Sequence, residues 1–398
     1  MSTVNPIPRL LVCPGPVLLS YGFRPFFLFG AIFAAGAVLM WLPMSYGELT
    51  MATAFAPRDW HVHEMLYGYI AAVMTGFLLT AIPNWTGRLP IQGGPLLVLV
   101  AVWLTGRIAI ALSAKIGWLP AAIIDVCFLL LVGAAAMREI AAGRNWRNLK
   151  IVAMIGLFLA GNIAFHVEAH LHGAADYGIR IGIAAMVLLI TVIGGRIIPS
   201  FTRNWLVREN PGRLPAPFAR FDVIVIAATA ASLALWTATP ASAWTAPALA
   251  VTGILQIARL LRWAGYRTWR DRLVLVLHAG YIFVPLGFLF VSAAAYGMAS
   301  ASAGIHAWTA GAAGLMTLAV MTRATLGHTG QALVASAETQ LIYALAAIAA
   351  CARIGAAMAQ QWSEPLMWLS AFAWAGAFIG FAIAYGPALC GRRKTILR

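Results

Sequence analysis

Long apolar runs separated by short polar or basic segments recur from residue 22 to residue 389. Each run approaches the roughly 20 residues that a helix needs to cross a hydrocarbon layer of about 30 Å. Set against the turn and charge signals between them, the runs predict twelve spans. These fall at about 22–42, 60–83, 95–113, 117–137, 148–170, 178–199, 219–237, 243–261, 272–296, 303–325, 338–359 and 366–389. The expected fold is an all-α integral membrane protein, a single polytopic domain over residues 1–398 embedded in a lipid bilayer. The longest connection, Thr202 to Phe218, holds Pro211, Gly212, Pro215 and Pro217 and is expected to be a loop, not a soluble domain.

Composition supports this pattern. Of the 398 residues, 62% are hydrophobic and only 10% charged, against about 25% charged in soluble domains. The net charge of +15 would suit nucleic acid, but the basic residues lie between the apolar runs, so no nucleic-acid partner is expected. The first run follows a Pro-rich segment with no small-residue cleavage motif and is expected to be a retained helix. The four cysteines, Cys13, Cys127, Cys351 and Cys390, form no CxxC pair, which argues against a disulfide framework or a thiolate zinc site.

The basic residues also orient the chain. The N-terminus, the even-numbered loops and the C-terminal tail carry most of them, from Arg9 and Arg88 through the clusters at 138–150, 203–220 and 259–272 to Arg392, Arg393, Lys394 and Arg398. The opposite side holds only Arg58, Lys115 and Arg180. Positive residues stay cytoplasmic, so both termini are expected in the cytoplasm. Spans two, six and ten end alike, at Ile82-Pro83-Asn84-Trp85-Thr86, Ile198-Pro199-Ser200-Phe201-Thr202 and Leu326-Gly327-His328-Thr329-Gly330. Lining up Thr86-Gly87 with Thr329-Gly330 places His63 over His306, a spacing compatible with three four-helix units.

With that orientation, six of the eight histidines gather near the outer surface: His61, His63, His166, His170, His172 and His306. Asn162, His166 and His170 are four apart and share a helix face. His61 and Glu64 share a face if the helix already runs there, whereas His61 and His63 then point apart, unless the helix starts between them or they serve different centres. Such a cluster in a charge-poor chain points to a metal or haem site, because imidazole is the donor available. The plainer alternative is histidine at helix ends in the membrane interface. On the inner side, Arg24, Arg196 and His278 lie at similar depth, where arginine could meet an anion or snorkel to the interface. Arg107 and Asp125 match in depth on neighbouring spans and are expected to form a structural ion pair. Arg353 has no evident partner and is expected to snorkel outward.

Four stretches carry a resemblance: Gly22-Phe23-Arg24-Pro25-Phe26-Phe27, Trp60-His61-Val62-His63-Glu64-Met65 with Pro83-Asn84-Trp85-Thr86-Gly87, Gly194-Gly195-Arg196-Ile197-Ile198-Pro199-Ser200-Phe201-Thr202, and Met321-Thr322-Arg323-Ala324-Thr325-Leu326-Gly327-His328-Thr329-Gly330. In order and spacing they resemble the NnrS family, haem- and copper-containing membrane proteins of the nitric oxide response. The resemblance implies a multi-pass protein of the bacterial inner membrane with haem b and copper (or a second iron), active in tolerance of nitric oxide. It leaves the reaction and the ligand set open. A histidine centre beside haem would resemble haem–copper oxidases and their nitric oxide reductase relatives, which have twelve helices in three arcs. Here, however, the seventh and eighth spans contain no histidine.

On this basis His63 and His306 are the expected haem axial ligands. His61, His166 and His170 are expected at copper or a second iron, with Glu64 and Asn162 beside them. His278 and His328 would serve an inner site, with Arg24 and Arg196 on haem propionates. The expected ligand is nitric oxide or a nitrosyl species, reduced with electrons from an unidentified donor. The competing expectations are a sensor or carrier without turnover, and a secondary transporter of a small anion or metal complex, whose site would lie nearer the midplane.

Overall fold

The structure is a computed structural model and describes residues 15–393. Arg9, Cys13, Lys394 and Arg398 lie outside the described residues. Twelve long helices follow one another: α1 Phe23–Ser45, α2 Pro57–Thr86, α3 Gly94–Ala111, α4 Trp118–Ala142, α5 Leu149–His172, α6 Asp176–Glu209, α7 Arg220–Ala238, α8 Thr245–Leu261, α9 Arg272–Ala294, α10 Ala301–Thr329, α11 Ala337–Met358 and α12 Ser363–Cys390. Eleven are long and apolar enough to cross a membrane. The remaining one, α8, has 17 residues, which at 1.5 Å per residue gives about 26 Å, at the short end for a span.

Each predicted span is found as a helix, and several run past their apolar limits, α6 furthest. α2 starts at Pro57, a residue preferred in a first helical turn, with Asp59 favourably placed near the positive helix end. α6 continues three turns beyond the predicted end at 199, through Arg203 and Arg208 to Glu209. Hydrophobicity ends where the lipid ends, whereas backbone hydrogen bonding need not. The expected loop from Thr202 is therefore helical as far as Glu209.

The packing has a centre and a rim. α2, α6 and α10 touch one another, while α1 against α12, α4 against α5 and α8 against α9 join successive groups of four. In α2, 83% of the apolar window is buried inside the protein, against 33% in α7, so α2 belongs to the core and α7 faces lipid. The first and last helices meet at one end. The Arg24 guanidinium donates to the carbonyls of Ala388, Leu389 and Gly391 at 3.2, 2.7 and 2.9 Å. Those carbonyls have no partner within α12 itself, and a cation suits the negative end of its dipole.

α2 and α10 share an unusual build. Each begins α-helical, widens into a seven-residue π-helical segment, Glu64–Ile70 in α2 and Ala307–Ala313 in α10, and returns to α-helix. Each ends on a left-handed glycine, Gly87 at φ 71° and Gly330 at φ 74°, whose N–H caps the carbonyl of Pro83 or Leu326. One offset superposes all of this: His63 on His306, Glu64 on Ala307, Gly68 on Gly311 and Gly87 on Gly330. α6 holds the third central place as an unbroken α-helix with no π segment. The echo between spans two and ten is thus structural, whereas span six shares only its position.

A buried histidine–carboxylate cluster beside a cavity

Because α2 is already helical at Asp59, His61 and His63 lie about 200° apart around its axis. They face different neighbours. His63 and Glu64 turn towards α3, α4 and α5, where they meet Arg107, Asp125, Asn162 and His166. All six side chains are buried, the least of them Arg107 at 7% exposure.

The contacts form one network. His63 Nδ1 lies 3.0 Å from Glu64 Oε1. His63 Nε2 lies 3.1 Å from Asn162 Oδ1 and 3.2 Å from Asp125 Oδ2. His166 Nε2 approaches the same Asp125 Oδ2 at 3.1 Å, and Asn162 Nδ2 donates to it at 2.8 Å. Arg107 donates to Glu64 Oε1 at 2.6 Å and, through Nη2, to Asp125 Oδ1. The expected Arg107–Asp125 ion pair is present, as part of a larger set.

Both nitrogens of His63 therefore face only acceptors. As a neutral ring it can donate from one of them, so the other needs a second proton or a cation. Charge gives the same answer. Glu64 and Asp125 carry two negative charges and Arg107 one positive, so with neutral imidazoles the buried set is one positive charge short. His63, Asp125 and His166 each offer a ligand atom within 4.8 Å of the others. The two histidine nitrogens lie 3.2 and 3.1 Å from Asp125 Oδ2, and ligands about 2.0–2.1 Å from a tetrahedral metal would be roughly 3.3 Å apart. The donor set fits a small metal ion.

On the other side of α2, His61 opens onto a cavity of about 420 Å³ walled by α1, α2, α6, α10, α11 and α12. This is within the range of roughly 300–1,000 Å³ for small-molecule and cofactor sites. Its walls are mostly aliphatic and aromatic, with Trp41, Tyr69, His61, His306, Arg58 and Arg353 as the main polar-tipped groups and no Asp or Glu. The π segments of α2 and α10 both contribute wall residues, in keeping with the association of π turns with functional sites. His306 Nδ1 lies 2.7 Å from the Ser302 carbonyl. That acceptor fixes the proton on Nδ1 and leaves the Nε2 lone pair available. His61 stacks on Trp41 at 4.2 Å, and its buried Nδ1 has no hydrogen-bond partner among the described residues. A cavity with two imidazoles and two cations fits an acidic tetrapyrrole.

The remaining candidates lie elsewhere. His170 stacks on Trp118 at 4.1 Å and is exposed, as is His172. It shares a face of α5 with His166 but stands one turn nearer the helix end at His172, beyond the buried cluster. His278 is buried with Nε2 2.8 Å from Thr202 Oγ1. His328 packs its ring near Tyr21 and Phe23 at 5.5 and 5.4 Å. Arg24 is occupied by the end of α12, and Arg196 is exposed. Asp125 goes beyond the structural ion pair expected of it, and Trp41 and Tyr69 carry no sequence signal of a site role. Arg353 did carry a signal: it is an intramembrane cation with no evident partner.

Fold and site together define a multi-pass helical membrane protein with a histidine–carboxylate cluster next to a cavity between its three central helices. The family model described as NnrS protein matches residues 17–393, nearly the whole chain. The chain belongs to the NnrS family and is a membrane protein of the nitric oxide response. A search of curated proteins found no match.

Proposed function

We propose that this protein supports nitric oxide tolerance by binding nitric oxide at a haem and reducing it with electrons from an external donor, with a copper ion (or a second iron) bound nearby. The observation carrying this reading is the division of the outer histidines into two sets on either side of α2. His61 and His306 share the cavity, and His63 and His166 share Asp125. His61 and His306 are thus the residues that would hold haem b. His63, expected from sequence to pair with His306, is assigned to the metal, because its nitrogens engage Glu64, Asn162 and Asp125.

A haem held there would supply an iron able to bind nitric oxide. The protein's own part can be derived from its residues. The Ser302 carbonyl holds His306 in the tautomer with a free Nε2. Trp41 restricts the plane of His61. The aliphatic walls exclude water yet admit a small apolar gas. In the cluster, Arg107 holds both carboxylates and so fixes Asp125 between the imidazoles. One added positive charge on the neutral-imidazole set, from a monovalent cation in place of a second proton on His63, makes the buried set neutral.

The test is spectroscopic and analytical. In purified protein, His61→Ala and His306→Ala should remove the reduced-minus-oxidised haem signal, while His63→Ala and His166→Ala should retain haem and lose metal. His170→Ala should change neither. A wild-type protein with no haem signal despite ample haem supply would overturn the reading. Anaerobic nitric oxide consumption with a reductant then separates turnover from binding. Reduction predicts steady loss of gas, whereas a sensor or carrier saturates at about one equivalent per haem. We place the protein in the bacterial inner membrane, with the cavity in its outer half.

A further inference from the structure

The cavity has an excess of donors over acceptors. Trp41 Nε1 is a buried donor with no partner among the described residues, and Arg58 and Arg353 line the wall without any carboxylate. Arg58 sits at the exposed rim and already pairs with Asp176 at 3.2 Å. Arg353 differs: it projects from α11 into the wall, and no described carboxylate pairs with it.

Arg353 is half-buried, and three fully buried arginines show what such a group has where it is enclosed. Arg24 holds three helix-end carbonyls, Arg107 holds Glu64 and Asp125, and Arg259 holds Asp222 at 3.0 Å. A guanidinium cannot shed its charge, and an uncompensated charge within a membrane protein is costly. Arg353 is also close enough to both His61 and His306 to act on them electrostatically. The missing negative charge is thus wanted in the same space as the two imidazoles.

We propose that Arg353 is the anion-binding residue of the cavity and takes a carboxylate, or an oxyanion of similar shape, from its occupant. This rests on the cavity being the haem pocket, where a haem propionate is the carboxylate within its reach. A free anion such as nitrite offers the same chemistry from another source. The forked donors of arginine suit either one.

The experiment reconstitutes haem-free protein with protohaem or with its dimethyl ester, in which both carboxylates are masked. Wild type should bind the diacid more tightly than the diester, and Arg353→Gln should lose about tenfold or more of that preference. Arg353→Lys should keep part of it. Circular dichroism of each variant checks the fold, and the diacid–diester comparison on wild type stands without any variant. Nitrite titrated into the diester-loaded protein tests the second source: a spectral shift in wild type that is lost in Arg353→Gln supports Arg353 as the site of a free anion. Equal diacid preference in wild type and Arg353→Gln, with equal nitrite responses, would overturn the proposal. Failure of folded wild type to take up either haem would instead remove the pocket reading, and is distinguishable from uptake without preference.

Discussion

At the residue scale, the deciding fact is that Asp125 serves two imidazoles, an asparagine and an arginine at once. Asp125→Asn removes one negative charge and leaves Arg107 with Glu64 as its remaining carboxylate. The substitution orphans no charge, and the cost is that of a hydrogen bond to a charged group, about 1.5–3 kcal/mol. The variant should therefore show a lower unfolding midpoint even in metal-free protein, together with loss of the metal. His166→Ala should lose metal with a smaller fall in stability, because Asp125 keeps Arg107. Equal midpoints for Asp125→Asn and wild type, both metal-free, would show that the network contributes little. Arg24 makes the opposite case. Arg24→Ala should destabilise the protein by about 1.5–3 kcal/mol, through hydrogen bonds lost from a charged donor, yet leave haem content unchanged. Haem loss in a still-folded Arg24→Ala protein would restore the expected propionate role. Sequence could not distinguish these roles, since the partners of Arg24 lie as much as 367 residues away along the chain.

At the scale of elements, the π segments set the directions in which α2 and α10 present their side chains. In each, a glycine stands at the same place. A Cβ on Gly68 would lie 2.8 Å from both Arg107 Nη1 and the Phe33 ring, and one on Gly311 would enter the Phe283 ring. Gly68→Ala should therefore push on the Arg107 fork that holds Glu64 and Asp125. Overpacking of this kind costs about 1–3 kcal/mol, and metal affinity should fall with it. Gly36→Ala in α1 provides the control. No atom lies within 4 Å of its added Cβ, so it should be neutral or slightly stabilising. Thermal unfolding and metal analysis of the pair would check this, and matching results for the two variants would remove the special role of Gly68. The helices themselves were legible from apolar runs, and so was the end-to-end echo of α2 and α10. The π widening was not, because its residues Glu64–Ile70 read as ordinary helix.

At the scale of the whole molecule, depth was legible and pairing was not. Charge asymmetry gathered the histidines at one level, but which ring meets which depends on the 200° turn from His61 to His63 and on what α4, α5 and α10 bring to each side. The same asymmetry yields a prediction that the packing makes sharp. The cavity wall includes Arg58 near the start of α2, Ser302 near the start of α10 and Met367 near the start of α12, so it lies towards the end where the even-numbered helices begin. Lys115, in a short helical turn between α3 and α4, and Arg213, in the loop between α6 and α7, are exposed at opposite ends of the bundle. In a protein without native cysteines, Lys115→Cys should react with a membrane-impermeant maleimide in intact cells. Arg213→Cys should react only after lysis. Positive-inside bias places the Arg213 side in the cytoplasm, and the cavity and cluster then lie in the outer half, nearer the compartment from which external nitric oxide arrives. Labelling in the reverse order would turn the molecule over. The metal and haem assignments would stand, but the sites would open towards the cytoplasm, and an electron donor would have to be sought on that side.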